Sequence, residues 1–306
     1  MRYRCNERIL RYGRDVDLTD YTHIPTNTAL NSERIYIRYR MDDWQESWPL
    51  HSHDGYEMYF FIQGIANLII GDDIYQLQPG DMLLFRGEVL HRVNPSMEVP
   101  YVRSYVNFTS DYLQDLLSGD MLHKLLQLFE KPSGLLIRWN ETELAEVDAA
   151  FKAVYLEREK ETFGYDFMMR SLLGQLLLRA YRKSKEMYGA FPAPVMSQKE
   201  ANVRRILLYL NQNFKEEVKL GRLSAVMHLN KYYMCHCFKE ITGFTINSYL
   251  ARKRIDEAKK LLHTGDVPVG HLAEQLGFRG AVHFSRLFKQ HVGVSPQMYR
   301  KMNQES

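Results

Sequence analysis

Two related stretches near the carboxyl end decide how this chain folds. LSAVMHLNKYYMCHCFKEITG covers residues 223–243, and LAEQLGFRGAVHFSRLFKQHVG covers residues 272–293. Each pattern predicts a short helix, a tight turn and a longer helix that ends at a glycine, Gly243 or Gly293, because a left-handed residue commonly closes a helix. The two copies therefore predict two helix-turn-helix units, whose second helices are free to enter the major groove of DNA.

The segment between the copies, residues 245–262, is amphipathic and predicts one helix that holds the two units at a fixed separation. On one face of a duplex the two second helices would then lie about 34 Å apart, one helical turn. Helix phase selects the residues that face DNA, because apolar residues such as Phe238 and Phe288 must face the core. The predicted DNA-binding residues are Lys231, Tyr232, Cys235, His236, Lys239, Arg279, Val282, His283, Arg286 and Lys289.

The charge of the chain is divided unevenly. The whole sequence of 306 residues carries a net charge of +3, but residues 198–306 carry +9 and residues 1–197 carry −6. A basic module is the electrostatic signature of a protein that binds a polyanion. Arginine can contact guanine through two hydrogen bonds, and lysine contacts phosphate as a point charge. We therefore expect the carboxyl-terminal module to bind double-stranded DNA.

The stretch from Gly277 to Lys301, GFRGAVHFSRLFKQHVGVSPQMYRK, closely resembles the signature of the AraC/XylS family of bacterial transcription regulators. The resemblance covers residues 198–303. The first copy departs from the family pattern at His236, where arginine is common, and at Gly221 and Cys235. The resemblance implies a regulator that responds to a small molecule, and it favours an activator of genes for carbohydrate uptake or breakdown.

The amino-terminal half combines a strand pattern with a later helix pattern. Short apolar or alternating runs recur from about residue 34 to 108 and predict a β-sandwich or small barrel. A period of 3.6 residues follows from about 110 to 189, and its helices have spare apolar surface. That surface could pack within the chain or join two copies as a homodimer. Pro192 and Pro194 then predict a linker at residues 190–197.

A second group of chemistry-bearing residues lies in the predicted strands. His51, His53 and Glu57 have the parity to share one face of a strand, and His91 on a neighbouring strand could complete a set of three imidazoles and one carboxylate. Such a set suits Zn, Fe, Mn or Ni. The arrangement resembles the cupin barrel, whose metal ligands correspond to these four residues.

Different functions compete for these residues. Regulators similar to this chain often keep such histidines without a metal, so one candidate is a small-molecule pocket, in which aromatic faces beside hydrogen-bonding groups suit a sugar. The predicted pocket residues are Trp44, Trp48, His51, His53, Tyr56, Glu57, Tyr59, Arg86 and His91. The alternative is a divalent transition metal held by His51, His53, Glu57 and His91, either as the sensed signal or as the centre of a cupin enzyme. Histidines with a purely structural role are the remaining interpretation.

The sequence thus predicts an α+β protein of two domains. Residues 1–189 form a cupin-like β-barrel with flanking dimerisation helices at about 110–189, and residues 198–306 form an all-α module of two helix-turn-helix units. We expect a regulator and no enzyme, with no obligatory cofactor. Its expected partners are double-stranded DNA, a small effector such as a carbohydrate, and a second copy of the chain. Three cysteines and the lack of a run near ~18 apolar residues favour a cytoplasmic protein without a membrane span.

Overall fold

Among the described residues of the amino-terminal part, eight strands follow one another. In the computed structural model, which describes residues 24–42, 49–187, 197–265 and 267–304, these strands pair only with antiparallel neighbours. They are β1 (Ile35–Met41), β2 (Tyr56–Gln63), β3 (Ala66–Ile70), β4 (Asp73–Gln76), β5 (Asp81–Arg86), β6 (His91–Pro95), β7 (Val102–Phe108) and β8 (Leu135–Arg138). One sheet has the order β1-β7-β2-β5-β8, and the other has the order β4-β3-β6.

The two sheets face each other and enclose an apolar core. Successive residues of a strand point to opposite faces, so Tyr59 and Phe61 of β2 point towards the second sheet, where they join Leu68 and Ile70 of β3. The neighbouring residue Phe60 points the other way. The two facing sheets confirm the β-rich amino-terminal domain that the sequence predicts.

Helices cover the outer face of the five-stranded sheet. They are α1 (Ile24–Glu33), α2 (Gly119–Leu126), α3 (Glu141–Lys160) and α4 (Tyr165–Met187). Asn140 starts α3, since its side chain accepts a hydrogen bond from the backbone of Glu143 while the Glu143 carboxylate accepts one from the backbone of Asn140. Phe151 of α3 and Leu173 of α4 are fully buried against the sheet. Most of the apolar surface of these helices is therefore used within the chain.

Seven helices form the carboxyl-terminal module. They are α5 (Gln198–Asn213), α6 (Leu220–Met227), α7 (Lys231–Thr242), α8 (Ile246–Thr264), α9 (Val269–Gln275), α10 (Ala281–Val292) and α11 (Pro296–Gln304). The first unit packs around Phe238 and the second around Phe284 and Phe288. The helix α8 contributes Tyr249 to the first core and Ile255 to the second, so one continuous helix joins the two units, as predicted.

The carboxyl-terminal module packs against the outer face of the three-stranded sheet. Leu50, Ile69, Ile74 and Leu90 of the amino-terminal domain belong to the same buried cluster as Phe238. The chain is thus layered, with helices, the first sheet, the second sheet and the carboxyl-terminal module following in order. The predicted linker falls between α4 and α5, and its residues 190–196 lie outside the described part of the chain. Within the described ranges, no helix has the length and apolar character that a membrane crossing needs.

His291, near the end of α10, gives the second unit a specific acid sensitivity. Burial and the positive charge of Arg252 lower the pKa of His291 to about 4 from an ordinary value of 6.5. The unfolded chain takes up this proton near pH 6.5, whereas the folded chain resists protonation until about pH 4. The stabilisation is therefore complete above pH 6.5 and is lost as the pH falls through this window.

We expect His291→Gln to reduce the loss of stability between pH 7 and pH 4 by about 1 kcal/mol, a value that allows for screening by solvent. The measurement is denaturant unfolding at a series of pH values. His283→Gln replaces an exposed histidine of the same helix and is the matched control. An unchanged pH dependence in His291→Gln would contradict the interpretation.

Candidate DNA-binding surface and effector site

The first helix-turn-helix unit consists of α6 and α7. Between them His228 adopts a left-handed conformation with φ 55°, and the Asn230 side chain then caps α7 by accepting hydrogen bonds from the backbones of Tyr232 and Tyr233. Cys237 and Phe238 are buried. This phase places the opposite side of α7 at the surface: Lys231, Tyr232, His236 and Lys239 are exposed, and Cys235 is half-buried.

The second unit, α9 and α10, has a different turn. Gly277 has φ 76°, and a side chain there would collide with the backbone carbonyl of Lys215, so only glycine fits this position. Phe284 and Phe288 are buried. The five predicted DNA-binding residues of this unit are all exposed: Arg279, Val282, His283, Arg286 and Lys289. Exposure makes both helices available to a duplex, and direct contact with DNA stays a prediction.

Three histidines meet where residues 51–53 approach β6. The backbones of His51 and His91 exchange two hydrogen bonds of 2.9 and 2.8 Å. The rings of His51 and His91 are 4.0 Å apart between centroids, and those of His53 and His91 are 5.1 Å apart. One nitrogen from each of the three rings lies within 4.8 Å of the others. The structure thus brings together the three predicted imidazoles.

Glu57 completes this histidine cluster. Its Oε2 lies 2.7 Å from His53 Nε2, accepts a hydrogen bond of 2.9 Å from the Asn107 amide, and lies 3.6 Å from His91 Nε2. Burial raises the pKa of Glu57, but its interactions with His53 and His91 outweigh burial and hold the pKa below the usual range. Burial lowers the pKa of His53, and the hydrogen bond to Glu57 outweighs it and raises that pKa. His53 and Glu57 thus favour each other's charged forms in this buried contact.

These residues fit a divalent transition metal. Imidazole nitrogen and carboxylate oxygen are the donors that Zn, Fe and Ni accept. His91 Nε2 is buried and has no hydrogen-bond partner among the described residues, although its Nδ1 lies 2.7 Å from the carbonyl of Val89. That second contact is the usual way to orient a ligating histidine. Such a metal would be bound by His51, His53, His91 and Glu57.

The structure places the predicted pocket residues of β2 and β5 on different faces of the first sheet. Tyr59 lies inside the sandwich and hydrogen-bonds to the Tyr101 hydroxyl. Tyr56 is on the other face of β2, where its ring stacks on Phe108 at 5.5 Å. Arg86 is exposed and pairs with Glu88 at 3.0 Å. Strand alternation gives the reason, because Glu57 and Tyr59 share one face while Tyr56 points to the helices. Trp44 and Trp48 lie outside the described residues.

Sequence reasoning missed the polar residues of β7. Tyr101, at its start, and Arg103, Tyr105 and Asn107 alternate along the chain and face the interior between the sheets, while Val106 faces the helices. Arg103 is 5% exposed, and its guanidinium carbon lies 5.0 Å from the centre of the Tyr101 ring and 5.9 Å from that of Tyr105. These polar residues recur at every second position of the sequence, and this alternation was the available signal that they share one face of the strand. An interior with arginine, tyrosine and asparagine suits a polar ligand.

Comparison with known proteins identifies the class of protein. Residues 35–177 match the family model described as AraC-like ligand binding domain, and residues 223–302 match the one described as Helix-turn-helix domain. The chain belongs to the AraC family of transcriptional regulators. It therefore has an amino-terminal ligand-binding domain and a carboxyl-terminal DNA-binding domain, as the sequence predicts.

Individual relatives are regulators as well. The uncharacterized HTH-type transcriptional regulator YisR of Bacillus subtilis (strain 168) is 36% identical over 37% of this chain, which matches only 39% of that protein. The HTH-type transcriptional activator RhaS of Enterobacter sp. (strain 638) is 26% identical over 84% of this chain and 89% of its own length. Among solved structures, a variant of apo ToxT from Vibrio cholerae strain SCE256 aligns with 88% of this chain and 97% of its own at 15% identity, with a TM-score of 0.38.

Proposed function

We propose that this protein is an effector-controlled transcription regulator of the cytoplasm, in which a small polar molecule bound between the two sheets changes how α7 and α10 contact DNA. The observation that carries the proposal is the buried polar interior around Arg103, the tyrosines and the histidine cluster. These polar side chains lie together between the two sheets, and convergent polar groups in an enclosed place are typical of a small-molecule site. Activation of transcription is the direction that RhaS, named as an activator, supports.

The chemistry of the interior favours a sugar or a sugar acid as effector. Tyrosine rings stack on the apolar faces of a sugar, and the histidine cluster and Asn107 can hydrogen-bond to its hydroxyls. Arg103, between Tyr101 and Tyr105, supplies the positive charge that would bind a carboxylate. The effector class thus rests on residues of β7 and on the histidine cluster.

A divalent transition metal is a second candidate for the sensed ligand. The observation that favours it is His91 Nε2, buried and without a hydrogen-bond partner in the described ranges, beside His51, His53 and Glu57. In this case the four residues would form the sensor site. An enzymatic role is not proposed, because the relatives of the chain are transcriptional regulators.

We also propose that the protein acts as a homodimer through an apolar groove between α2 and α4. The groove has a volume of about 230 Å³ and is lined by Leu116, Leu117, Met121, Leu125, Ser171, Gly174, Gln175 and Leu178. Phe167 and Met168, at the start of α4, are 61% and 46% exposed. A second copy would bury this surface and present two DNA-binding modules to two half-sites.

The DNA-binding role is tested by selection from a random-sequence duplex pool with purified full-length protein, followed by measurement of affinity for the selected duplex. We expect Arg286→Ala to weaken binding roughly 5- to 150-fold, because a contact between arginine and guanine contributes about 1–3 kcal/mol. Lys289→Ala should weaken binding to all sequences alike. It should also reduce the slope of log K against log salt concentration by about 1, because one phosphate contact is lost.

The matched control for the DNA experiment is Arg182→Ala, which removes an exposed arginine from α4 in the other domain. It should leave the affinity for the selected duplex unchanged. Equal affinities of wild type and Arg286→Ala would remove Arg286 from the DNA-binding surface. Failure to enrich any sequence would contradict specific DNA recognition by this chain.

The effector is sought by thermal denaturation in the presence of sugars, sugar acids, Zn²⁺, Ni²⁺ and Mn²⁺. A ligand at 100 times its Kd stabilises the folded state by about 2.7 kcal/mol and should raise Tm by roughly 5 °C or more. Arg103→Met should abolish the shift produced by a sugar acid, since it removes the buried positive charge. His91→Ala should abolish a shift produced by a metal ion, because it removes one of the four proposed ligands. A sugar-acid shift that survives in Arg103→Met would disprove the assigned pocket.

The dimer is tested by sedimentation equilibrium. Met121 is 41% exposed in the groove, so Met121→Glu should leave the fold intact while placing a charge in the interface, and we expect the dimer Kd to rise roughly tenfold or more. The matched control is Met97→Glu. Met97 is also a methionine of the amino-terminal domain, it is 74% exposed, and it lies outside the groove. A monomeric wild-type protein, or the same dimer Kd in both variants, would contradict the assigned interface.

A further inference from the structure

Residues 50–54 and residues 90–95, which include β6, form a ribbon with two functional faces. Residues 51 and 91 are paired through their backbones. Side chains along each of the two extended segments point alternately to opposite faces. Odd-numbered residues face the interior of the sandwich: His51, His53, His91 and Val93. Even-numbered residues face the DNA-binding domain: Leu50, Ser52, Leu90, Arg92 and Asn94. Each histidine of the cluster therefore has a direct chain neighbour in the contact between the domains.

One end of the ribbon holds the carboxyl end of α7. The Asn94 side-chain amide donates hydrogen bonds to the backbone carbonyls of Glu240 (2.9 Å) and Ile241 (3.0 Å). The last carbonyls of a helix have no partner within the helix, so the amino-terminal domain supplies it. Arg92 adds a positive charge where the helix dipole is negative, with its guanidinium carbon 3.8 Å from the centre of the Phe244 ring.

The other end of the ribbon holds α8. The Ser52 hydroxyl, between His51 and His53, donates a hydrogen bond to the Asp256 carboxylate. Asp256 is 5% exposed and also lies 3.3 Å from the ammonium of Lys260. Because α8 connects the two helix-turn-helix units, a contact at its middle bears on the orientation of both.

We propose that Ser52, Arg92 and Asn94 are positioning residues that couple the ligand state of the histidine cluster to the DNA-binding helices α7 and α8. The inference rests on the proposed function, because it names the route by which an effector at that site acts on DNA binding. A ligand that moves the rings of His53 or His91 moves a strand whose next residue contacts the DNA-binding domain. The coupling is reciprocal, so DNA binding must change the affinity of the histidine cluster for its ligand by the same free energy.

Other contacts between the domains provide an internal comparison. Asp73 at the start of β4 pairs with Arg204 of α5, and Asp72 in the preceding turn accepts a hydrogen bond from Asn211. This turn carries no residue of the histidine cluster. Loss of the contact between Asp73 and Arg204 weakens docking without touching the ribbon, which makes Asp73→Ala the matched control for the coupling experiment.

The first experiment measures amide hydrogen exchange in the full-length protein. Glu57→Gln perturbs the histidine cluster with nearly the same shape. We expect it to change exchange of residues 239–244 and of α8 around Asp256 by about threefold or more. In the background Ser52→Ala/Asn94→Ala the same replacement should change these amides by less than about 1.5-fold, while residues 51–53 and 91–94 still respond. In the Asp73→Ala background the full response should remain.

The second experiment repeats this comparison with the affinity for the selected duplex. Glu57→Gln should change Kd by about threefold or more in the wild-type and Asp73→Ala backgrounds, and by less than about 1.5-fold in Ser52→Ala/Asn94→Ala. Equal effects in all three backgrounds, or no response of α7 and α8 to Glu57→Gln, would overturn the coupling. If no duplex can be selected, the proposed function fails, and hydrogen exchange alone then decides whether the ribbon couples the domains.

Discussion

The burial of both faces of both sheets is the constraint on which the rest of this structure depends. Helices cover one face of the five-stranded sheet, and the second sheet covers the other. The three-stranded sheet has only its outer face left, and Leu50, Ile69, Ile74 and Leu90 bury it against the DNA-binding domain. Burial of these four apolar side chains favours docking, and the two domains form one layered unit.

Local signals explain why the helical half could be predicted from the sequence. The end of α7 at Gly243 and of α10 at Gly293 depends on backbone conformation at one residue, with φ 71° and 86°. The start of α5 depends on the pairing of Ser197 with Glu200, three residues apart. Signals of this range survive in any tertiary context, and the repeat supplied the terminal glycine twice. The histidine cluster was predicted from parity along one strand, but the structure assembles it differently, because His51 and His53 precede β2 and approach β6 whereas Glu57 lies within β2.

The inner face of the sandwich could not be predicted in full, because parity alone does not say which face of a strand is interior. Both faces of β2 are buried, so the polar residue Tyr56 looked equivalent to Tyr59 although the two point in opposite directions. Arg86 ends its strand on the outer face for the same reason. The contacts of Asn94 with α7 join residues about 146 positions apart. Pairing at that distance depends on the assembled fold, which no local pattern encodes.

The glycines that end α7 and α10 occupy the same place in the repeat but face different surroundings. A side chain at Gly243 would meet the Arg92 guanidinium and Asn94, whereas a side chain at Gly293 would meet nothing within 4 Å. Replacement of Gly293 costs only the strain of a left-handed backbone, and replacement of Gly243 must also displace the Arg92 guanidinium and the Asn94 side chain. The end of α10 can therefore change without disturbing the amino-terminal domain, while the end of α7 can change only together with Arg92 and Asn94, which it touches.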